Sequence, residues 1–265
     1  LSRVSRLAAI LAAALVALAL AVPALAQDGQ AQVRVAHLSP DAPSVDVYVN
    51  GTPVPELQNV PFGTVSPYLT LPAGSQQVTV YPAGDTSQPV IDASVDLAGG
   101  SAYTIGAVGL VSDGSLTAQV YEDDLSAPSE GNAKVRAVHA VPDAGAVDVV
   151  PAGGEALITG LEFPNASDYA EVPAGTYTLN VNAAGTDQTL ITADATVEAG
   201  TNYSVFAIGS AEAGNLSLLP VVDSAMTMPD TGGSVLPGRL AAISAALALG
   251  VAAAGLYALR RRTTA

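Results

Sequence analysis

The chain repeats itself after about one hundred residues, and that feature limits it to two copies of one small domain. Val33-Arg34-Val35-Ala36-His37-Leu38-Ser39-Pro40-Asp41-Ala42-Pro43-Ser44-Val45-Asp46-Val47 returns as Val135-Arg136-Ala137-Val138-His139-Ala140-Val141-Pro142-Asp143-Ala144-Gly145-Ala146-Val147-Asp148-Val149. Leu71-Pro72-Ala73-Gly74 returns as Val172-Pro173-Ala174-Gly175. Tyr103-Thr104-Ile105-Gly106-Ala107-Val108-Gly109 returns as Tyr203-Ser204-Val205-Phe206-Ala207-Ile208-Gly209. Self-similarity held in register over this length marks a duplicated unit. We place the copies at 33–124 and 135–223, joined by a linker at 125–134 that is rich in Ser, Pro, Gly and Asn.

Each copy reads as β-structure. Candidate strands in the first are 32–38, 44–50, 64–71, 76–82, 89–97, 101–109 and 115–122, rich in Val, Thr, Tyr and Ile with partial alternation. Asn50-Gly51, Gly84-Asp85, Gly99-Gly100 and Asp113-Gly114 punctuate them as turns. About seven short strands in some 90 residues, without a convincing helix, predict two tandem all-β sandwiches of immunoglobulin-like or Greek-key type.

The repeated opening carries both histidines. If 39–43 closes a hairpin, Val33, Val35 and His37 face the core together with Val45, Val47 and Val49. Arg34 then falls opposite, near Asp46, as Arg136 does near Asp148, and an exposed cross-strand ion pair is expected in each copy. His37 and His139 have two readings. One is a half-buried imidazole that satisfies the backbone of the following turn. The other is a ligand contact in a binding loop, built with Asp41 or Asp143. One His per domain makes a poor transition-metal site, and no His-x-x-x-His spacing exists.

This opening resembles the start of a bacterial cell-surface family called domain of unknown function 4397. The second copy resembles it too, departing at Val141, Gly145 and Val150-Pro151. The resemblance implies an exported β-domain, often in tandem, and brings no catalytic residues.

The ends predict export and anchoring. Arg3 and Arg6, an apolar run at 7–22 and the small-residue site Ala24-Leu25-Ala26 form a signal peptide, 1–26, with cleavage between Ala26 and Gln27. Residues 240–259 carry no charge and, at ~1.5 Å per residue, would cross a bilayer as a transmembrane helix. Arg260, Arg261 and Arg262 open a basic tail, 260–265, that stays cytoplasmic and leaves the body outside. In the preceding linker, 224–239, Met228-Pro229-Asp230-Thr231-Gly232 resembles the Leu-Pro-x-Thr-Gly signal of sortase substrates. That resemblance implies cleavage between Thr231 and Gly232 and transfer to the cell wall. Met228 departs from its usual Leu, and a plain membrane anchor is the alternative.

Charge and missing motifs narrow the function. All 24 acidic residues lie between Asp28 and Asp230, against only Arg34, Lys134 and Arg136. Such a surface repels phosphate backbones, so nucleic acid is not an expected partner. No Cys is present, which excludes disulfides and thiol chemistry. G-x-S-x-G, H-E-x-x-H and P-loop patterns are absent, and no cofactor is expected. Calcium at Glu122-Asp123-Asp124 is weighed against a solvated acidic strand end. Tyr48, Tyr68 and Tyr81 are candidates for a modest binding face. The expectation is a non-enzymatic, anchored surface protein that binds an unknown glycan or protein ligand. A structural spacer or acidic coat is the alternative, and a carbohydrate-active enzyme a distant third.

Overall fold

The computed structural model describes residues 29–225. The expected signal peptide with Ala26 and Gln27, the expected sorting motif at 228–232, the expected span 240–259 and the basic tail all lie outside the described residues.

The first repeat contains β1 (Gln30–His37), β2 (Val45–Val49), β3 (Thr52–Pro53), β4 (Thr64–Val65), β5 (Leu69–Pro72), β6 (Gly74–Pro82), β7 (Ile91–Leu97), β8 (Ala102–Val108) and β9 (Thr117–Asp123). The second contains β10 (Asn132–His139), β11 (Val147–Pro151), β12 (Ile158–Leu161), β13 (Ala170–Pro173), β14 (Gly175–Ala183), β15 (Thr189–Val197), β16 (Thr201–Ile208) and β17 (Ser217–Ala225). The second repeat therefore begins inside the segment read as linker. One sheet of the first repeat runs β4-β1-β8-β9, with β5 also on β1, and the other runs β3-β2-β6-β7. The second repeat copies this as β13-β10-β16-β17 and β12-β11-β14-β15. Four sheets thus make two β-sandwich-like bodies.

Two expectations need correction. In the immunoglobulin order the first two strands lie side by side in one sheet. Here β1 and β2 lie in opposite sheets, and β1 pairs parallel with β8, Val35 opposite Ile105. The segment 38–44 is therefore an arch between sheets and not a hairpin turn. The edges of β1 are already taken by β8 on one side and by β4 and β5 on the other, so β2 has no ladder to join.

Alternation along β1 does hold. Val33 and Val35 point into the first sandwich with Val45, Val47, Val78 and Ile105. Arg34, Ala36 and Leu38 point the other way, yet they too are buried. Every residue of β8 and of β16 is buried, so these strands are covered on both faces. Their sequences are mostly apolar or small on both faces, with Thr104, Thr201, Asn202 and Ser204 as buried polar exceptions, which fits a strand with no wet side.

The second cover is the other repeat. Ala36, Leu38, Val108 and Tyr121 form one core cluster with Val138, Ala140, Phe206 and Ile208. Its fit is asymmetric. A methyl on Gly106 would meet Tyr121, Leu38 and Val108 at 3.3–3.4 Å. The second repeat places Phe206, 0% exposed, where the first has Gly106, and Val221 where the first has Tyr121. A large residue on each strand pair is balanced by a small one, which keeps the interface packed at interior density.

Candidate functional site

A buried charge network locks the two repeats together at one level of the interface. Arg34 is 1% exposed and Arg136 2%. Arg34 Nη2 donates to Asp223 Oδ1 at 2.5 Å, Nη1 to the Val222 carbonyl at 3.3 Å, and Nε to Thr104 Oγ1 at 2.8 Å. Arg136 mirrors this across the pair. Its Nη2 donates to Asp123, its Nη1 to the Glu122 carbonyl at 2.7 Å, and its Nε to Ser204 Oγ at 2.8 Å. Tyr68 and Tyr169 lie against the guanidinium groups, each 4.8 Å from ring centroid to Cζ. Their hydroxyls donate to Asp123 Oδ2 at 2.6 Å and Asp223 Oδ2 at 2.7 Å.

The electrostatics follow from burial and pairing. Burial opposes the Arg34 charge, but Asp223 and Asp123 outweigh it and raise its pKa. Burial first, then the adjacent carboxylates, push the Tyr68 and Tyr169 phenols up, so both remain proton donors. The expected surface pairs of Arg34 with Asp46 and of Arg136 with Asp148 do not form. Asp46 accepts the Asn59 and Gly84 backbone N–H groups at 2.6 and 2.9 Å. Asp148 accepts those of Gly160 and Gly185 at 2.7 and 2.8 Å.

In Glu122-Asp123-Asp124 only Glu122 is an exposed acidic residue. Asp123 is buried against Arg136, and Asp124 pairs with Lys134 Nζ at 2.7 Å. Burial works against the Asp124 charge, but Lys134 and Ser126 outweigh it and lower its pKa to about 2. Protein cations therefore already hold two of the three carboxylates weighed as calcium ligands. Tyr68 belongs to the lock, while Tyr48 and Tyr81 meet edge to face at 5.2 Å on the other sheet. The three do not form one face.

The lock also decides where the loops point. Near the start of the strands, Arg34 reaches Ser204 Oγ at 3.5 Å. Near their ends, Gly63, which donates to the His37 carbonyl, lies beside Ile208. Equivalent levels meet at both places, so β1 and β10 run in the same direction. The loops after β1 and β8 and those after β10 and β16 therefore leave from the same end of the molecule. Ala225 pairs with Thr201 at the start of β16, which sends the chain out at the opposite end.

Both histidines and both aspartates shape this loop end. His37 Nε2 bonds the Pro43 carbonyl at 2.9 Å, and His139 Nε2 the Gly145 carbonyl at 2.6 Å. A carbonyl only accepts, so each Nε2 carries the proton. Both rings are 1% exposed and act as struts across the arch. Asp41 accepts the Val111 and Ser112 N–H groups, both at 2.9 Å. Asp143 accepts Ala211 and Glu212 N–H at 2.8 and 2.9 Å and Ser210 Oγ at 2.7 Å. Burial is the largest single influence and opposes these two charges, but the donated hydrogen bonds together outweigh it and lower both pKa values. Each aspartate thus ties the loop after the first strand of its repeat to the loop beyond Gly109 or Gly209. Phe62, 36% exposed, and Val111, 42% exposed, stand at this end of the first repeat.

Sequence reasoning singled out the four loop residues as candidates and missed the lock. The available signal was two-faced burial in 102–108 and 201–208, which implies that Arg34 and Arg136 cannot face water.

Among solved structures, the Bacillus anthracis TIE protein matches at 11% identity and a TM-score of 0.23, over 69% of this chain and 34% of that one. The chain thus spans about a third of that structure's length. A family 26 carbohydrate-binding module of Eubacterium rectale Amy13K, solved with maltoheptaose, matches at 9% identity and TM-score 0.24, over 76% and 98%. A streptococcal virulence factor described by its alpha-glucan binding matches at 10% identity and TM-score 0.22, over 68% and 92%. Overlaps this low carry no argument about ligand. No curated protein matches in sequence. The family described as Domain of unknown function (DUF4397) matches residues 31–150 and again 136–236. With the strand order repeated in register and the V-R-V-x-H opening present in near-identical form twice, the chain belongs to the DUF4397 family and carries two of its domains.

Proposed function

We propose that this protein is an exported, C-terminally anchored cell-surface binding module that acts without catalysis. The observation that carries this reading is the shared direction of the two loop ends, opposite to the end from which the chain leaves toward 226–265. An anchored protein built this way presents both loop sets outward on a body that the charge lock keeps from flexing. Loops on a rigid scaffold are where recognition concentrates. Exposed Phe62 and Val111 add apolar contact area to an otherwise acidic surface. The sorting motif, the apolar span and the arginines supply the anchor, with wall transfer through Thr231 or retention in the membrane as its two forms.

The test compares cells displaying the full chain with cells displaying Asp41→Ala or Asp143→Ala, challenged with cell-wall polymers, a glycan panel and surface proteins. Saturable retention that falls at least tenfold in either variant, at equal surface expression, supports the reading. Absence of retention on every panel rejects it in favour of a spacer.

A further inference from the structure

The two repeats share a strand order but not a core. In the first, one continuous cluster fills the space between the sheets, and Leu57, from a 3-10 turn at Pro55–Leu57, plugs it. In the second, the core divides. Val147, Val181 and Ile191 form one part, and Ala133, Val197 and Tyr203 the other. A cavity of about 340 Å³ opens between the sheets, lined by residues of both.

The ladder registers show how it arises. Ala137 stands for Val35, Ala170 for Leu69, Val172 for Leu71, Ala195 for Val95, Val197 for Leu97 and Val205 for Ile105. All six of these residues line the cavity, and together they remove ten side-chain carbons. Tyr177 for Gln76, Leu161 for Val60, Leu179 for Val78 and Leu218 for Ala118 return nine, but at other points of the wall. Ile158, in the segment corresponding to the Leu57 turn, is only half-buried on the cavity wall, and Leu157 stands 60% exposed at the rim. An empty apolar cavity is destabilising in proportion to its volume. The wall residues exchange size almost evenly, yet about 340 Å³ stays open where Leu57 fills the first repeat, which points to a space that is filled by something else.

We infer that the cleft between the sheets of the second repeat binds a free, uncharged aliphatic molecule of roughly a dozen heavy atoms, scaled from a 150 Å³ cavity that takes benzene. The lining selects this class. Its polar groups are already used: His139 Nε2 bonds Gly145, the Tyr177 hydroxyl donates to the Pro173 carbonyl at 2.7 Å, and Arg136 is held by Asp123. Nothing remains to orient a polar ligand or neutralise a charged one. Eleven carboxylates in 132–225, against only Lys134 and Arg136, disfavour an anionic head group such as a fatty-acid carboxylate. Among the described residues Leu157 is the only large apolar side chain exposed at the rim, too little to enter a bilayer, so a free molecule is the expected occupant. The site shares His139 with the loop end, but neither Asp41 nor Asp143 lines it.

The test uses residues 29–225, which contain all four sheets and every core cluster, with 1-dodecanol as probe. Titration calorimetry and displacement of an apolar fluorescent dye should give one saturable site. Dodecanoate should bind at least tenfold more weakly, and neutral phosphatidylcholine vesicles should not retain the protein. The variant A170L/A195V restores the residues of the first repeat; it should lose at least tenfold in dodecanol affinity and melt higher than the parent. Methyl spectra should place the dodecanol shifts on Val172 and Leu179, whether or not that variant folds. Absence of a saturable site, affinity unchanged in a folded A170L/A195V, or shifts centred on Val33 and Val47 would each overturn the inference. Asp41→Ala should leave dodecanol binding intact, so this site can fail or stand apart from the loop-end reading.

Discussion

At the scale of single residues, the histidines show how one side chain can be read correctly in kind and still serve a purpose its neighbours decide. The turn-satisfying role was legible, because a lone His before a Pro-rich turn has little else to bond. What the ring braces became visible only with the arch, which carries the chain from one sheet to the other. Burial lowers the pKa of both His37 and His139, and the hydrogen bonds to Pro43 and Gly145 only partly oppose it. The unfolded chain therefore takes up these protons first as pH falls below the ordinary value of about 6.5. Stability from the neutral rings is fully present above that pH and is lost as pH falls toward their folded-state values. Urea midpoints at about pH 7.5 and 5.5 should differ, with the lower pH less stable, and H37N/H139N should reduce the difference. An unchanged difference in the double variant would assign the pH dependence to other groups.

At the scale of elements, most strands stood where alternation and turn residues placed them, and the exceptions have local causes. The strand expected over 64–71 is two, β4 and β5, parted at Ser66-Pro67. Pro67 has no N–H for a ladder. Ser66 instead uses its hydroxyl and its N–H on both backbone groups of Val35, at 3.0 and 2.9 Å. The Pro was a readable warning, whereas the bulge geometry depended on β1. Gly109 ends β8 at φ +97°, and a methyl there would sit 2.4 Å from the Ser115 carbonyl oxygen. Gly209 repeats this at φ +106°, 2.5 Å from the Asn215 oxygen. Both strain and collision with backbone oppose any side chain. Gly109→Ala should destabilise by about 2 kcal/mol or more in equilibrium denaturation. A cost below about 0.5 kcal/mol would mean that the loop relaxes freely and that Asp41 does not hold it.

At the scale of the whole molecule, the repeats are halves of one body and not beads on a linker. Apolar side chains and two crossed ion pairs join them, and each arginine finds its carboxylate on the opposite repeat. Removing one partner of a buried pair leaves the other charged and unpaired, which costs about 3–5 kcal/mol. Arg136→Met should show a loss of that size, and the double variant R136M/D123N should lose less than the sum of its singles. Strict additivity would show that the two groups do not act as a pair.

The sequence alone determined the duplication, the β-class, most strand positions and the turn-bonding role of the two histidines. Each rests on a local pattern: a repeat in register, a period of two, a turn residue, a donor beside an acceptor. The tertiary structure decided which strands neighbour one another, that the far face of β1 is an interface, that Arg34 pairs with Asp223, and that the second core is open. Those outcomes join residues as far as 189 positions apart. Burial on a second face depends on what packs there, and no local period records the identity of a distant partner.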